Sequence, residues 1–247
     1  MNILASDKTI AVVGLGLTGL SCIRYLARKG RSCVVMDSRE NPPGLDELRS
    51  LHPDVPVAVG GFRQDWLAAA DEIWLSPGVA LDHPDIRIWR ESKFIRGDVD
   101  VFCDEVAAPV VAITGSNGKS TVTTLLGEMA AAAGVRVQVG GNLGTPVLDL
   151  LDVEAQLYVV ELSSFQLETT AHLNAAAATL LNVSEDHLDR YEGSLAEYAA
   201  AKARIFQGRG VMVLNRDDDW SMANGRCGRT LVSFGLDAAP RAVDYGL

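Results

Sequence analysis

Paired cysteine spacing is missing from this chain: its four cysteines, at 22, 33, 103 and 227, stand singly, with no CxxC pair and no Cys/His ligand spacing. That excludes a disulfide framework and a zinc site, and buried thiols are the expectation. Basic residues are in deficit. Lys and Arg number 22 against 32 Asp and Glu, a formal charge of −10, which argues against a nucleic-acid or anionic-membrane surface. No uninterrupted apolar run approaches about 20 residues, so a membrane span is not expected. The start, MNILASDKTI, has no cationic segment followed by a long apolar core, and the chain therefore reads as cytoplasmic. Solenoid-period repeats and low-complexity tracts are also missing, although residues 130–133 and 175–178 are locally alanine-rich.

What the chain has is length and apolar content. With 247 residues, 48% of them hydrophobic, it suits two α/β domains with ample core. Strand-like and helix-like patterns alternate, the signature of βαβ units around a mainly parallel sheet. The first series predicts strands at 9–13, 32–36, 57–59 and 72–75, with helices near 18–30, 45–51, 65–70 and 84–92. A second begins with a strand over 109–114 and a helix over 120–133, and continues with strands at 135–139, 157–160, 179–183, 211–214 and 230–234. Residues 93–108 are the linker candidate. The boundary falls near 97, which makes the expected domains 1–97 and 98–247.

The stretch TGSNGKST at 114–121 is the most informative. It is a glycine loop ending in Lys-Ser, placed between an apolar β-branched strand and a helix, and that context makes it a triphosphate cradle. Phosphate would sit at the helix N-terminus, where unpaired N–H groups and the positive dipole end favour anions. Lys119 supplies a point charge, and the Ser120 hydroxyl is placed to hold Mg²⁺. The loop is a variant. The common pattern wants glycine six residues before the lysine, where this chain has Ile113, so Gly115 and Gly118 carry the turn.

The N-terminal series opens with GLGLTG at 14–19, after a strand and before a helix, and Asp37 closes the next strand. A dinucleotide fold would use them so: glycines for close approach to phosphate, the acid for ribose hydroxyls. A GxGxxG alone is weak evidence. The turn Ser76-Pro77-Gly78 ends another strand, either at a ligand site or as a plain turn.

Downstream, polar groups recur at strand ends. Glu161 follows Leu157-Tyr158-Val159-Val160, where a carboxylate facing a triphosphate would take Mg²⁺; otherwise it is a buried acid paired with a cation. His187 lies in SEDHLDRY at 184–191, as a ligand or as a loop residue. Asn142, in GGNLG, either bonds a phosphate or carbonyl oxygen or stabilises its turn. Ser194 and Glu197 form a capping-box pair, and the helix after them has the apolar stripe Leu195, Tyr198, Ala199, Lys202, Ile205, Phe206. Lys202 interrupts it. Either its methylenes lie along the core while the ammonium reaches water, or burial lowers its pKa and the neutral amine adds CO₂ to become a carbamate, an anionic metal ligand.

Together these segments resemble the Mur ligases of peptidoglycan precursor synthesis, and within them the D-glutamate-adding branch. TGSNGKST, GGNLG, ELSSFQLE at 161–168, DHLDRY at 186–191 and YAAAKARIF at 198–206 occur in that family's order, after GLGLTG and LSPGV. The resemblance spans nearly the whole chain. It implies a Rossmann-like N-terminal domain followed by a phosphate-loop ATPase-type central domain, and an ATP-dependent ligase that joins D-glutamate to UDP-N-acetylmuramoyl-L-alanine through an acyl phosphate.

By the same resemblance, Gly115, Ser116, Asn117, Gly118, Lys119, Ser120 and Thr121 bind ATP. Ser120, Glu161, His187 and a carbamylated Lys202 serve Mg²⁺, with Lys119, Glu161, His187 and Lys202 catalytic. Leu17, Thr18, Asp37, Ser38, Arg39 and Gly78 would meet the UDP portion, while Asn142, Ser163 and His187 would meet the rest of the substrate. NAD is then not needed. The family has a third, C-terminal domain carrying the amino-acid site, so the chain reads as a fragment with its central domain incomplete and without turnover. A monomer without nucleic-acid or membrane partners is expected. The rival readings are a non-catalytic nucleotide-binding module and an NAD-dependent two-domain oxidoreductase.

Overall fold

Short apolar runs, most of them released into a turn and then a helix, build both sheets of this protein. The computed structural model describes residues 8–247, so the reading of the first residues falls mostly outside the described ones. The chain divides into two units, 1–101 and 102–247.

The first unit runs β1 (Ile10–Val13), α1 (Leu17–Arg28), β2 (Cys33–Asp37), α2 (Leu45–Leu51), β3 (Val57–Val59), α3 (Gln64–Ala69), β4 (Glu72–Leu75), α4 (Pro84–Arg87) and β5 (Phe94–Arg96). Its sheet has the order β3-β2-β1-β4-β5, with every pairing parallel. All four residues of β1 are fully buried, as a central strand covered on both faces requires. Helix α1 seals one face with Leu20, Ile23 and Leu26, spaced by about one turn. Val13 pairs with Met36 and with Leu75, so GLGLTG, Asp37 and Ser76 emerge at one edge. The strand order reverses between β1 and β4, the switch point at which open α/β sheets bind ligands.

The second unit begins within α5 (Asp98–Glu105). It contains β6 (Val110–Thr114), α6 (Lys119–Ala132), β7 (Val137–Gly141), β8 (Leu157–Glu161), α7 (Ser164–Glu168), β9 (Ala177–Leu180), α8 (Leu195–Ala203), β10 (Val211–Asn215), α9 (Asp219–Met222) and β11 (Leu231–Phe234). The order is β11-β10-β9-β6-β8-β7, again parallel throughout. Its reversal lies between β6 and β9. Ile113 on β6, Val159 on β8 and Leu181 just past β9 form a buried cluster.

Four expectations change. The linker candidate is folded, because Phe94 and Ile95 pair with Glu72 and Ile73, and buried Arg96 lies 3.0 Å from Asp100. The helix near 84–92 stops at Arg87; beyond it the amides of Trp89, Arg90 and Ser92 bond three residues back, as turns. Strands β7 and β9 sit two residues from where the pattern puts their starts, since glycine and alanine carry little strand signal. Cys22 and Cys33 are buried, the latter with its thiol pushed up to about 11 by burial, but Cys103 is half-buried and Cys227 exposed. Among the described residues no helix is long and apolar enough to cross a membrane.

Close packing gives GLGLTG a role in the fold apart from any ligand. A Cβ at Gly19 would lie 2.0 Å from the Gly14 carbonyl oxygen, whereas one at Gly16 would meet nothing within 4 Å. Gly19→Ala is therefore expected to destabilise the first unit by about 2 kcal/mol or more, and Gly16→Ala to stay within about 0.5 kcal/mol. Urea unfolding followed by tryptophan fluorescence reads this directly, because Trp66, Trp74 and Trp89 all lie in that unit. Equal midpoints for the two variants would refute the packing argument.

Candidate functional site

Residues 115–118 leave β6 as a loop, and α6 begins at Lys119 with Gly118 as its N-cap, in the left-handed region at φ 78°. That conformation favours glycine. Gly115 is needed for closeness, since a Cβ there would stand 3.1 Å from the Leu181 Cβ. No side chain caps α6, so the first-turn amides of a 14-residue helix are open toward an anion. The loop is held from β9. The Asn117 amide donates to Asn182 Oδ1 at 2.8 Å, and the Asn182 side-chain amide returns a bond to the Asn117 carbonyl at 3.0 Å. Ser116 accepts from the Ser184 amide and donates to the Ser184 carbonyl, both at 3.0 Å. Lys119 donates to the Ser116 carbonyl at 3.1 Å, and Thr121 is exposed on the first turn of α6.

Glu161 ends β8 opposite Ile113 on one side and Gly141 on the other. This register brings Asn142, the next residue after β7, against it. The carboxylate is 1% exposed. Its Oε2 accepts from the Ser120 hydroxyl at 2.7 Å and its Oε1 from the Asn142 amide at 2.8 Å. A buried carboxylate held by neutral donors is an unusual arrangement, and the Ser120 and Glu161 oxygens are the hard donors that Mg²⁺ takes. Among the described residues there is no cluster of three or more His, Cys, Asp or Glu side chains disposed to hold a metal. The oxygen pair therefore fits a cation that shares its other positions with substrate and water.

Lys202 is 1% exposed and donates to the Gly115 carbonyl at 2.8 Å, with its amine 4.5 Å from the Tyr198 ring centre. The amine does not reach water. Burial pushes its pKa down to about 7; the Lys119 charge adds to the fall, and Asp186 and Glu161 oppose it.

His187 is exposed and left-handed at φ 51°, with Nε2 3.5 Å from Asp186 and its ring 5.2 Å from Phe165. Ser163 caps α7 in a full capping box with Gln166. In the first unit, Asp37 is buried and already engaged: it accepts from the Leu15 amide at 2.7 Å and from Arg39 through the amide and two guanidinium nitrogens. Burial alone would raise its pKa, but the Arg39 and Leu15 bonds outweigh that and lower it. Leu17 is 70% exposed on α1, Thr18 is half-buried beside it, and Ser38, Arg39 and Gly78 are exposed at the same strand ends. The structure thus gathers 115–121, Asn142, Glu161 and Lys202 in one unit, and Leu17, Thr18, Asp37, Ser38, Arg39 and Gly78 in the other.

Sequence reasoning passed over Asn182, Ser184 and Tyr198. The available signals were a polar Asn-Val-Ser at a strand end and an aromatic one helical turn before the lysine.

Comparison with known proteins matches the same division. The domain described as "Mur ligase MurD-like, N-terminal domain" matches residues 8–94, and "Mur ligase middle domain" matches 113–244. The chain is 65% identical over 218 residues to the UDP-N-acetylmuramoylalanine–D-glutamate ligase of Hahella chejuensis, covering 88% of this chain and 49% of that protein. To the ligase of the same name from Dechloromonas aromatica it is 54% identical, over 97% of this chain and 55% of the relative. It spans about half the length of the curated relatives it matches. Among solved structures, UDP-N-acetylmuramate:L-alanyl-gamma-D-glutamyl-meso-diaminopimelate ligase from Neisseria meningitides has the same fold, with a TM-score of 0.62 at 18% identity, over 96% of this chain and 82% of that one.

The depressed Lys202 pKa has a thermodynamic consequence. Between about pH 7 and 10.5 the unfolded chain holds a proton that the folded amine does not, so stability rises with pH across that window and is flat on either side. Lys202→Met should remove up to about 1.4 kcal/mol per pH unit of that slope. Urea unfolding of both proteins at pH 7 and pH 9.5 measures it; parallel pH dependences would show that the amine is protonated as in water.

Proposed function

The chain belongs to the Mur ligase family, and we propose that it carries the UDP-sugar and ATP sites of an enzyme that joins D-glutamate to UDP-N-acetylmuramoyl-L-alanine. The observation that carries this reading is the convergence on one phosphate loop of three groups: Lys119 on the loop, Glu161 bonded to Ser120, and the buried Lys202 amine bonded to Gly115. The amino acid and acceptor are those named in the relatives at 65% and 54% identity. A cytoplasmic monomer goes with this reading.

In the proposed reaction the muramoyl-alanine carboxylate attacks the γ-phosphorus of ATP, giving an acyl phosphate and ADP. The D-glutamate amine then attacks the acyl carbon, and phosphate leaves as the amide forms. The α6 amides and Lys119 bind the triphosphate and draw charge from its oxygens. Mg²⁺ would supply further neutralisation of phosphate charge when bound, with Ser120, Glu161 and His187 as its holders. Asn142 would orient a substrate or phosphate oxygen, and Ser163, at the N-cap of α7, would meet the acceptor. Lys202 would add CO₂ at its unprotonated amine and release a proton, and the resulting carbamate would supply anionic oxygens as support for the cation. A pKa near 7 makes the free amine available for that step. Leu17, Thr18, Asp37, Ser38, Arg39 and Gly78 would hold the UDP portion, Asp37 and Arg39 acting as a preformed pair.

Two measurements test the reading. The intact protein that carries this chain should incorporate labelled D-glutamate only when ATP and the UDP-sugar are both present, with one ADP released per amide. Calorimetry on the 247-residue chain should show heat with UDP-N-acetylmuramoyl-L-alanine and none with NADH. The reverse pattern of heats would establish a nicotinamide site and end the ligase reading.

The carbamate makes its own prediction. Lys202→Ala should lower kcat of the intact protein by about 100-fold, and added acetate should restore part of it by returning carboxylate oxygens to the vacated space. Lys202→Arg should stay inactive with acetate, because a guanidinium cannot form the carbamate and fills the cavity. Near-normal turnover of Lys202→Ala without any added carboxylate would exclude the carbamate.

A further inference from the structure

Residues 188–191 form a single turn bracketed by two left-handed residues, His187 and Glu192, both at φ 51° and neither a glycine. That backbone is unfavourable for a residue bearing a Cβ, and it persists only where the surroundings hold it. The surroundings here are the end of α7. Glu168 spends both carboxylate oxygens on this turn: Oε2 accepts from the Arg190 guanidinium at 2.7 Å, and Oε1 accepts from the Tyr191 hydroxyl at 2.8 Å. The Arg190 and Glu168 side chains are 14% and 15% exposed, so solvent screens this pair less than it would a surface pair. One turn earlier on α7, Phe165 receives the Arg190 guanidinium at 4.5 Å from its ring centre and the His187 ring at 5.2 Å. Tyr191 also packs 5.3 Å from Tyr198, whose ring lies against the Lys202 amine.

We propose that Glu168 is a positioning residue for the ligase site: by clamping Arg190 and Tyr191 it sets the turn, and through the turn and the shared Phe165 face it sets the imidazole of His187. The proposal rests on the metal-holding role of His187 in the ligase reading. It concerns a carboxylate whose two oxygens are taken by Arg190 and Tyr191 and which would act through those neighbours. The ELSSFQLE and DHLDRY segments are then two halves of one device. Glu161, at the start of the first, ends β8, and the clamp stands at its far end on α7, so one continuous segment carries both the strand-end carboxylate and the residue that sets the loop histidine.

Glu168→Gln keeps the size and the acceptor for Tyr191 while removing the charge from Arg190. With four histidines in the chain, a ¹⁵N-imidazole spectrum of the 247-residue protein is simple, and His187→Gln identifies the relevant signal. Glu168→Gln should shift or broaden the His187 signal and leave the other three in place. In the intact protein kcat should fall about tenfold, with KM for the UDP-sugar changed less than about twofold. Arg190→Lys, which loses the planar fork, should do the same, and the double variant should be no worse than either single one. An unmoved His187 signal in Glu168→Gln overturns the proposal. So does collapse of the whole imidazole spectrum in both single variants, which would mark the contact as general scaffolding. A wild-type protein that forms no amide would end the ligase reading instead, and the imidazole result would still judge the clamp.

Discussion

The Lys202 amine donates to the Gly115 carbonyl at 2.8 Å where almost no water reaches it, and that contact holds the phosphate loop to α8. A lysine this deep must lose its proton, find an anion, or be compensated by hydrogen bonds. Here one carbonyl and the Tyr198 face supply the compensation, and burial brings the amine's pKa down to about 7, so that both its charged and its neutral forms are accessible. The same bond ties α8 to the first residue of the phosphate loop, across 87 positions of sequence. A change in the charge of Lys202 therefore reaches the loop directly, without passing through the sheet.

Both units solve the same problem at different scales. Parallel strands deliver the residues after them to one edge, and reversal of strand order opens a crevice there. In the first unit Ser76 donates to the Gly14 carbonyl at 3.0 Å, closing the gap between β1 and β4 at its base. In the second, Asn182 and Ser184 grip Asn117 and Ser116 across the gap between β6 and β9. Register then decides which side chains meet. Because Gly141 and Ile113 both face Glu161, the residues beyond them arrive at the same carboxylate. Gly141 has to be glycine, since its φ is 106° and a Cβ would stand 2.3 Å from the Glu161 carbonyl oxygen.

Much of this was legible in the residues. Runs such as Ile10–Val13 and Leu157–Glu161 carry a strong strand signal, and a glycine loop ending in Lys-Ser marks the start of a helix with open amides. The parts that were not legible depend on distance in space. Nothing local to Asn182 reveals that its side chain closes a ring of hydrogen bonds with Asn117, 65 residues earlier. Residues 93–108 read as a linker because a three-residue strand has too few positions to show a period, and Arg96 and Asp100 look solvent-loving until their pairing buries them. Lys202 was the opposite case. A lysine inside an apolar stripe is a visible contradiction, and only the packing around it decides between a stem that reaches water and an amine held under a loop.

The charges near the loop explain why such an amine suits a cation site. Lys119 and Lys202 face Glu161 and Asp186, and each acts on the Lys202 proton: Lys119 pushes it off, the two acids pull it back. With the amine neutral, Lys119 offsets one of the two acids and a single negative charge is left. Conversion of Lys202 to a carbamate, in the proposed reading, would raise that to two negative charges in a region of low dielectric, where unlike charges attract far more than in water. A divalent cation is then the natural complement, and its binding would in turn hold the carbamate against loss of CO₂. Such coupling is reciprocal by thermodynamic necessity. In the proposed reading, cation affinity and carbamate stability would be two expressions of one equilibrium, centred on the buried lysine whose amine lies 2.8 Å from the Gly115 carbonyl.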